Sequence, residues 1–124
     1  MPLDHLQLGR LGEKLASDHL RKSGYRILAA NYSSSLGEID LICFHDDTIV
    51  FVEVKALKAD DAGDPEEHIT PAKRRKIERT AREWLAAHRN PECAYRFDAV
   101  SVVIGDESSP PRVRHIVEAF LPSR

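Results

Sequence analysis

Long apolar runs are missing from this chain, and none approaches the roughly 18 residues a helical membrane span needs. Cysteine is scarce. The two present, Cys43 and Cys93, lack metal-ligand spacing and suit a reducing, cytoplasmic setting better than a disulfide framework. No histidine stands at zinc spacing, which excludes the common structural zinc modules. The opening "MPLDHLQLGRLGEK" has no basic segment leading into an apolar one, so no secretory signal is expected. An excess of positive charge is also absent. The net charge of −2, taken alone, argues against a nucleic-acid binder. With no repeat and no low-complexity tract, 124 residues suffice for one domain with a single modest core.

The near-neutral average conceals two opposite patches. "DDAGDPEE" (60–67) carries five acids and no base, leaving eighteen bases against fifteen acids elsewhere. "KRRKIERTAR" (73–82) holds six bases and one acid. Residues 5–23 read as a helix closed by Gly24 in the position after its C-cap. Strands are expected over 25–32, 37–44 and 48–55, then a polar loop over 58–68. Thr70-Pro71 marks the start of a second helix, Thr as N-cap and Pro as first helical residue, running to about His88. Two further strands, 96–104 and 113–120, flank a turn at 105–111. This order of elements predicts an α/β domain with a mixed sheet and helices packed on it.

The stretch "GEIDLICFHDDTIVFVEVK" (37–55) has the pattern of a hairpin turning at Asp46-Asp47. That centre opposes Phe44 to Ile49, Ile42 to Phe51, Asp40 to Glu53 and Glu38 to Lys55. On the other face Cys43–Val50, Leu41–Val52 and Ile39–Val54 are all apolar. A slip by one residue would set Asp40 against a valine and scramble both faces, so the pattern selects this register. Opposed side chains have Cβ atoms about 4.5–5.5 Å apart, where like charges repel. Two carboxylates so placed need a proton or a cation. The oxygen-only donor set suits Mg²⁺ or Mn²⁺ bound between Asp40 and Glu53. The plain alternative is a half-solvated hairpin with charges on its outer face. Glu13, at the edge of the first helix's apolar arc, is either a solvated glutamate or a third acidic group at this site. Gly9 and Gly12 thin that arc and would let the helix approach the sheet closely.

Asp40 followed by Glu53-Val54-Lys55 resembles the Asp…Glu-x-Lys signature of the restriction-endonuclease-like nuclease superfamily. More closely, the chain resembles the YraN-type family of small bacterial proteins. The matching segments are "LGRLGEKLASDHLRKSGYRILAANY", "GEIDLI", "FVEVK", "TPAKRRKI", "RFDAVSV" and "HIVEAF", in order along nearly the whole chain. The resemblance implies a nuclease-like fold and a role on DNA, and it extends to Holliday-junction resolvases, which also carry a glutamate on the first helix. Carried over residue by residue, it makes Asp40 and Glu53 metal ligands, Lys55 the catalytic lysine and Glu13 the accessory acid. Where the family usually has an arginine two places after the lysine, this chain has Leu57, followed by Lys58.

The expected activity is Mg²⁺-dependent phosphodiester hydrolysis on DNA, including branched DNA. On the second helix Ile77, Ala81, Trp84 and Leu85 form an apolar stripe, with Trp84 a core residue rather than a base-stacking platform. Arg75, Arg79 and Arg82 line the opposite face, as a solvated surface or as a phosphate track. Lys73, Arg74 and Lys76 complete the basic set expected to bind nucleic acid, with Lys73 and Arg74 nearest the cleft. His88 and His115 read as structural. The rival readings are a nucleic-acid-binding module without catalysis and an interaction protein that retains the fold. Symmetric cutting of a junction would require a homodimer, and no dimer surface is legible.

Overall fold

The structure, a computed structural model, describes residues 3–59, 69–88, 93–105 and 108–122. Helix α1 (His5–Lys22) is followed by strands β1 (Arg26–Ser33), β2 (Glu38–His45) and β3 (Thr48–Lys58). Helix α2 (Pro71–Ala87) then leads to β4 (Ala94–Ile104) and β5 (Arg112–Phe120). The five strands form one sheet in sequence order, β1 to β5. All neighbours are antiparallel except β3 and β4, which α2 connects in parallel. The architecture is therefore α/β, with the mixed sheet and the order of elements expected from the sequence. Among the described residues no helix is long and apolar enough to cross a membrane.

Local chemistry sets the helix ends. Asp4 caps α1 by accepting from Gln7 N–H at 2.8 Å, and the Gln7 side chain returns a bond to Asp4 N–H at 3.0 Å. That reciprocal pair is a capping box. At the other end Gly24 takes φ +90°, the left-handed conformation that a side chain would penalise. Thr70 caps α2 through a bond from Lys73 N–H to Thr70 Oγ1 at 3.2 Å, with Pro71 at the first helical position. Arg74 fixes the same turn from outside. Its Nε donates to Ile69 C=O at 3.1 Å and its guanidinium lies over the Phe120 ring.

The helices cover opposite faces of the sheet. Ala16 and Leu20 of α1 pack with Leu41, Cys43, Val50, Val52, Val100 and Val102. Ile77, Ala81, Trp84 and Leu85 of α2 pack with Ile42, Ile49, Phe51, Phe97, Ala99 and Phe120. Trp84 stands edge-on to Phe51, as a core residue should. Gly12 permits the close approach of α1, since a Cβ there would lie 2.6 Å from Ala56 Cβ on β3. Gly9 has no such role, with nothing within 4 Å of its Cβ position. Lys58 ends β3, and the acidic run 60–67 lies outside the described residues.

Candidate functional site

Asp46 and Asp47 both take positive φ, as a two-residue hairpin turn requires. The turn sets the expected register from His45–Thr48 through Phe44–Ile49, Cys43–Val50 and Ile42–Phe51 to Leu41–Val52. There the backbone ladder ends. The expected backbone pairs Asp40–Glu53, Ile39–Val54 and Glu38–Lys55 do not form. Instead Ile39 pairs with Tyr32 of β1 and packs in the α2 cluster, while Val54 packs on the α1 side. Strict alternation fails because the two carboxylates replace backbone carbonyls as acceptors at the next step. Asp40 Oδ2 accepts from Val54 N–H at 2.7 Å, and Glu53 Oε2 accepts from Asp40 N–H at 3.3 Å. Each acid is thus held by one oxygen, and the other oxygen of Glu53 faces Lys73 Nζ at 3.8 Å.

These two side chains floor a cleft of about 500 Å³ between the opened hairpin and the first turns of α2. Its walls are Gly37 and Glu38 on one side and Thr70, Ala72, Lys73, Lys76 and Ile77 on the other. Glu53 is only 8% exposed. Burial, then the neighbouring Asp40 charge, pushes its carboxyl up to about 8, against the lowering by Asp40 N–H and Lys73. Asp40 is raised as well, first by burial and further by the charges of Glu13 and Glu38. Glu13, half-buried on α1, therefore acts on Asp40 through space. Among the described residues no three acidic, histidine or cysteine side chains converge closely enough to hold one ion. To a divalent ion the protein would offer two carboxylates, Asp40 and Glu53. That number fits Mg²⁺ or Mn²⁺, which binds through one or two acids and completes its shell with water and substrate oxygens.

The basic residues divide. Lys73 Nζ stands 3.8 Å from Glu53 Oε1, and Lys76 lines the cleft beside it. Arg74 is committed to Ile69 and Phe120. Arg75, Arg79 and Arg82 are exposed on the outer face of α2. Lys55 lies two residues beyond Glu53 on the same face of β3 and is exposed, outside the lining of the cleft.

Sequence reasoning missed a buried polar cluster on the α1 face. Asp98 is fully buried on β4 and accepts from Arg96 Nε at 3.0 Å and from Glu118 N–H at 3.0 Å. His115 Nε2 lies 2.7 Å from its other oxygen. Arg96 also donates to Tyr25 OH at 2.6 Å. The Glu118 N–H reaches Asp98 from a bulge in β5, where Glu118 takes φ +52°. His115 is thereby structural, as expected. The available signal was an Arg and an Asp two apart in "RFDAVSV", which puts both on one face of a buried strand.

Fold and cleft define the class: an α/β protein with a carboxylate pair, Glu53 buried and Asp40 half-buried, where its central hairpin opens. The chain belongs to Uncharacterised protein family UPF0102, whose family model matches residues 12–102. It is similar to a UPF0102 protein of Anaeromyxobacter dehalogenans, 42% identical over 113 residues that cover 91% of this chain and 83% of the relative. A UPF0102 protein of Syntrophomonas wolfei is 41% identical, covering 92% of this chain and 97% of its own length. One from Chlorobium limicola is 38% identical, covering 97% and 96%. The matched span takes in Glu13, Asp40, Glu53, Lys55 and all of α2. The YraN-type resemblance read from the motifs is this family.

Proposed function

We propose that this protein is a divalent-metal-dependent nuclease that hydrolyses phosphodiester bonds of DNA at the Asp40–Glu53 cleft. The supporting observation is the carboxylate pair itself, a buried Glu53 and a half-buried Asp40, each anchored by one oxygen and facing a lysine-bearing helix. Asp40 and Glu53 would hold Mg²⁺ or Mn²⁺, and Glu13 would add negative charge behind Asp40. When bound, the ion would supply an acidified water and draw charge from the phosphoryl oxygens. Lys55 stabilises charge that develops in the transition state. Lys73 and Lys76 receive the backbone on the opposite wall.

Metal binding is the first test. An acid whose folded pKa lies above its ordinary value keeps its proton after the unfolded chain has released it. The metal-free protein therefore loses stability as pH rises from about 4.5 to about 8. Mn²⁺ must displace that proton, so its affinity should rise over the same window. Thermal melts should show an Mn²⁺-dependent increase in Tm that is larger at pH 8 than at pH 6 and absent in Asp40→Asn. Equal Mn²⁺ stabilisation of wild type and Asp40→Asn would remove the assignment. Neither a passive nucleic-acid module nor an interaction protein needs this response. A cleavage screen over single-stranded, duplex, flapped and four-way DNA then assigns the substrate.

The exposed stripe Arg75, Arg79 and Arg82 supplies sequence-independent affinity in this reading. Replacing all three with Gln should weaken binding to every DNA sequence and flatten the salt dependence, by about one unit of slope for each phosphate no longer engaged. An unchanged slope returns the stripe to a solvated helix face.

A further inference from the structure

The first turn of α2 is held more firmly than an exposed basic segment requires. Thr70 caps it, Pro71 sets its first dihedral angle, and Arg74 ties it to Ile69 and Phe120. Lys73 projects from this fixed turn to the outward oxygen of Glu53, at 3.8 Å. Its side chain is 54% exposed while that of Glu53 is 10% exposed, so the ammonium stands on the solvent side of the cleft and can leave without unpacking anything. Lys76, one helical turn on, lines the cleft without an ion pair to either acid.

We propose that Lys73 is the resident counter-cation of the acidic cleft, exchanging Glu53 for a phosphodiester oxygen when a divalent ion takes the carboxylates. This rests on the metal-site reading above and adds a coupling to it. Two cations compete for one oxygen, so metal loading releases the lysine. The released charge then faces the groove where a phosphate would lie. By linkage the same coupling makes bound nucleic acid raise metal affinity.

The test is Mn²⁺ titration calorimetry on the full chain, paired with fluorescence anisotropy of a labelled DNA duplex with and without Ca²⁺. An exposed ion pair contributes up to about 1 kcal/mol, so Lys73→Met should bind Mn²⁺ up to about fivefold more tightly than wild type. Lys73→Arg keeps the competing charge and should stay near wild type. Ca²⁺ should strengthen duplex binding by wild type, and that gain should shrink in Lys73→Met. Thermal melts of the metal-free variants check that each is folded. If wild type binds Mn²⁺ and Lys73→Met binds it equally or more weakly, the exchange is wrong while the metal site stands. An undiminished Ca²⁺ gain in Lys73→Met likewise overturns the exchange alone. Failure of wild type to bind Mn²⁺ removes both readings together.

Discussion

Asp98→Ala should cost about 3–5 kcal/mol of stability, the usual loss when one partner of a buried ion pair is removed. The reason lies in what remains. Arg96 and His115 keep their places under α1 with no carboxylate to face, and the Glu118 N–H in the β5 bulge loses its acceptor. Because β5 is an edge strand paired in the sheet with β4 alone, the destabilisation should appear first as loosening of that edge. Burial alone would raise the Asp98 carboxyl, but bonds from His115, Arg96 and Glu118 N–H outweigh it and hold the group below its ordinary 3.8. A depressed acid contributes stability above its unfolded pKa and loses it as pH falls through the folded value. The Asp98 contribution should thus be complete at about pH 5 and decline below 3.8. Urea unfolding at neutral pH, repeated at steps down into the acid range, measures both parts. Asp98→Asn keeps an acceptor for Glu118 N–H and should lose less than Asp98→Ala. Equal stability of Asp98→Ala and wild type would mean that the network is incidental to the fold. While folded, Asp98→Ala should still bind Mn²⁺, since the cluster and the cleft lie on opposite faces of the sheet.

Much of the fold was legible because local signals agreed. The caps at Thr70 and Gly24, the two aspartates of the turn and the apolar alternation of both hairpin strands each pointed to one structure. The register through Leu41–Val52 followed from polarity alone, since any slip would have buried a charge. The opening beyond it was not legible. Alternation assumes a continuous ladder, and nothing in residue polarity says that Asp40 and Glu53 will take the place of backbone carbonyls. Ile39 therefore changes sides without any change in composition. The Asp98 cluster was hidden for a related reason. Its members come from β4, β5 and the residue just before β1, and their meeting depends on sheet order, which periodicity along one strand does not report. The reach of Lys73 to Glu53 likewise needs the seating of α2 on β2, a packing distance rather than a spacing.

Lys55→Met should lower single-turnover cleavage by about 10²–10³ at saturating Mg²⁺, the usual loss when one electrostatic contributor to the transition state is removed. Metal affinity should not change, because Lys55 is no ligand and forms no ion pair among the described residues with Asp40 or Glu53. Methionine keeps much of the side chain's bulk on an exposed strand position, so the fold should be unaffected. Glu53→Gln should behave differently, losing metal affinity and cleavage together, since in the proposed site its outward oxygen would be a ligand to the ion. The contrast separates a group that binds from one that acts only in the transition state. It is also the sharpest test of where substrate sits. Lys55 lies outside the lining of the cleft while Lys73 lies inside it, so nucleic acid must extend along β3 past Glu53 for Lys55 to reach the reacting phosphate. Wild-type cleavage by Lys55→Met would place the reacting phosphate deeper, against α2, and would transfer the role of neutralising charge to Lys73.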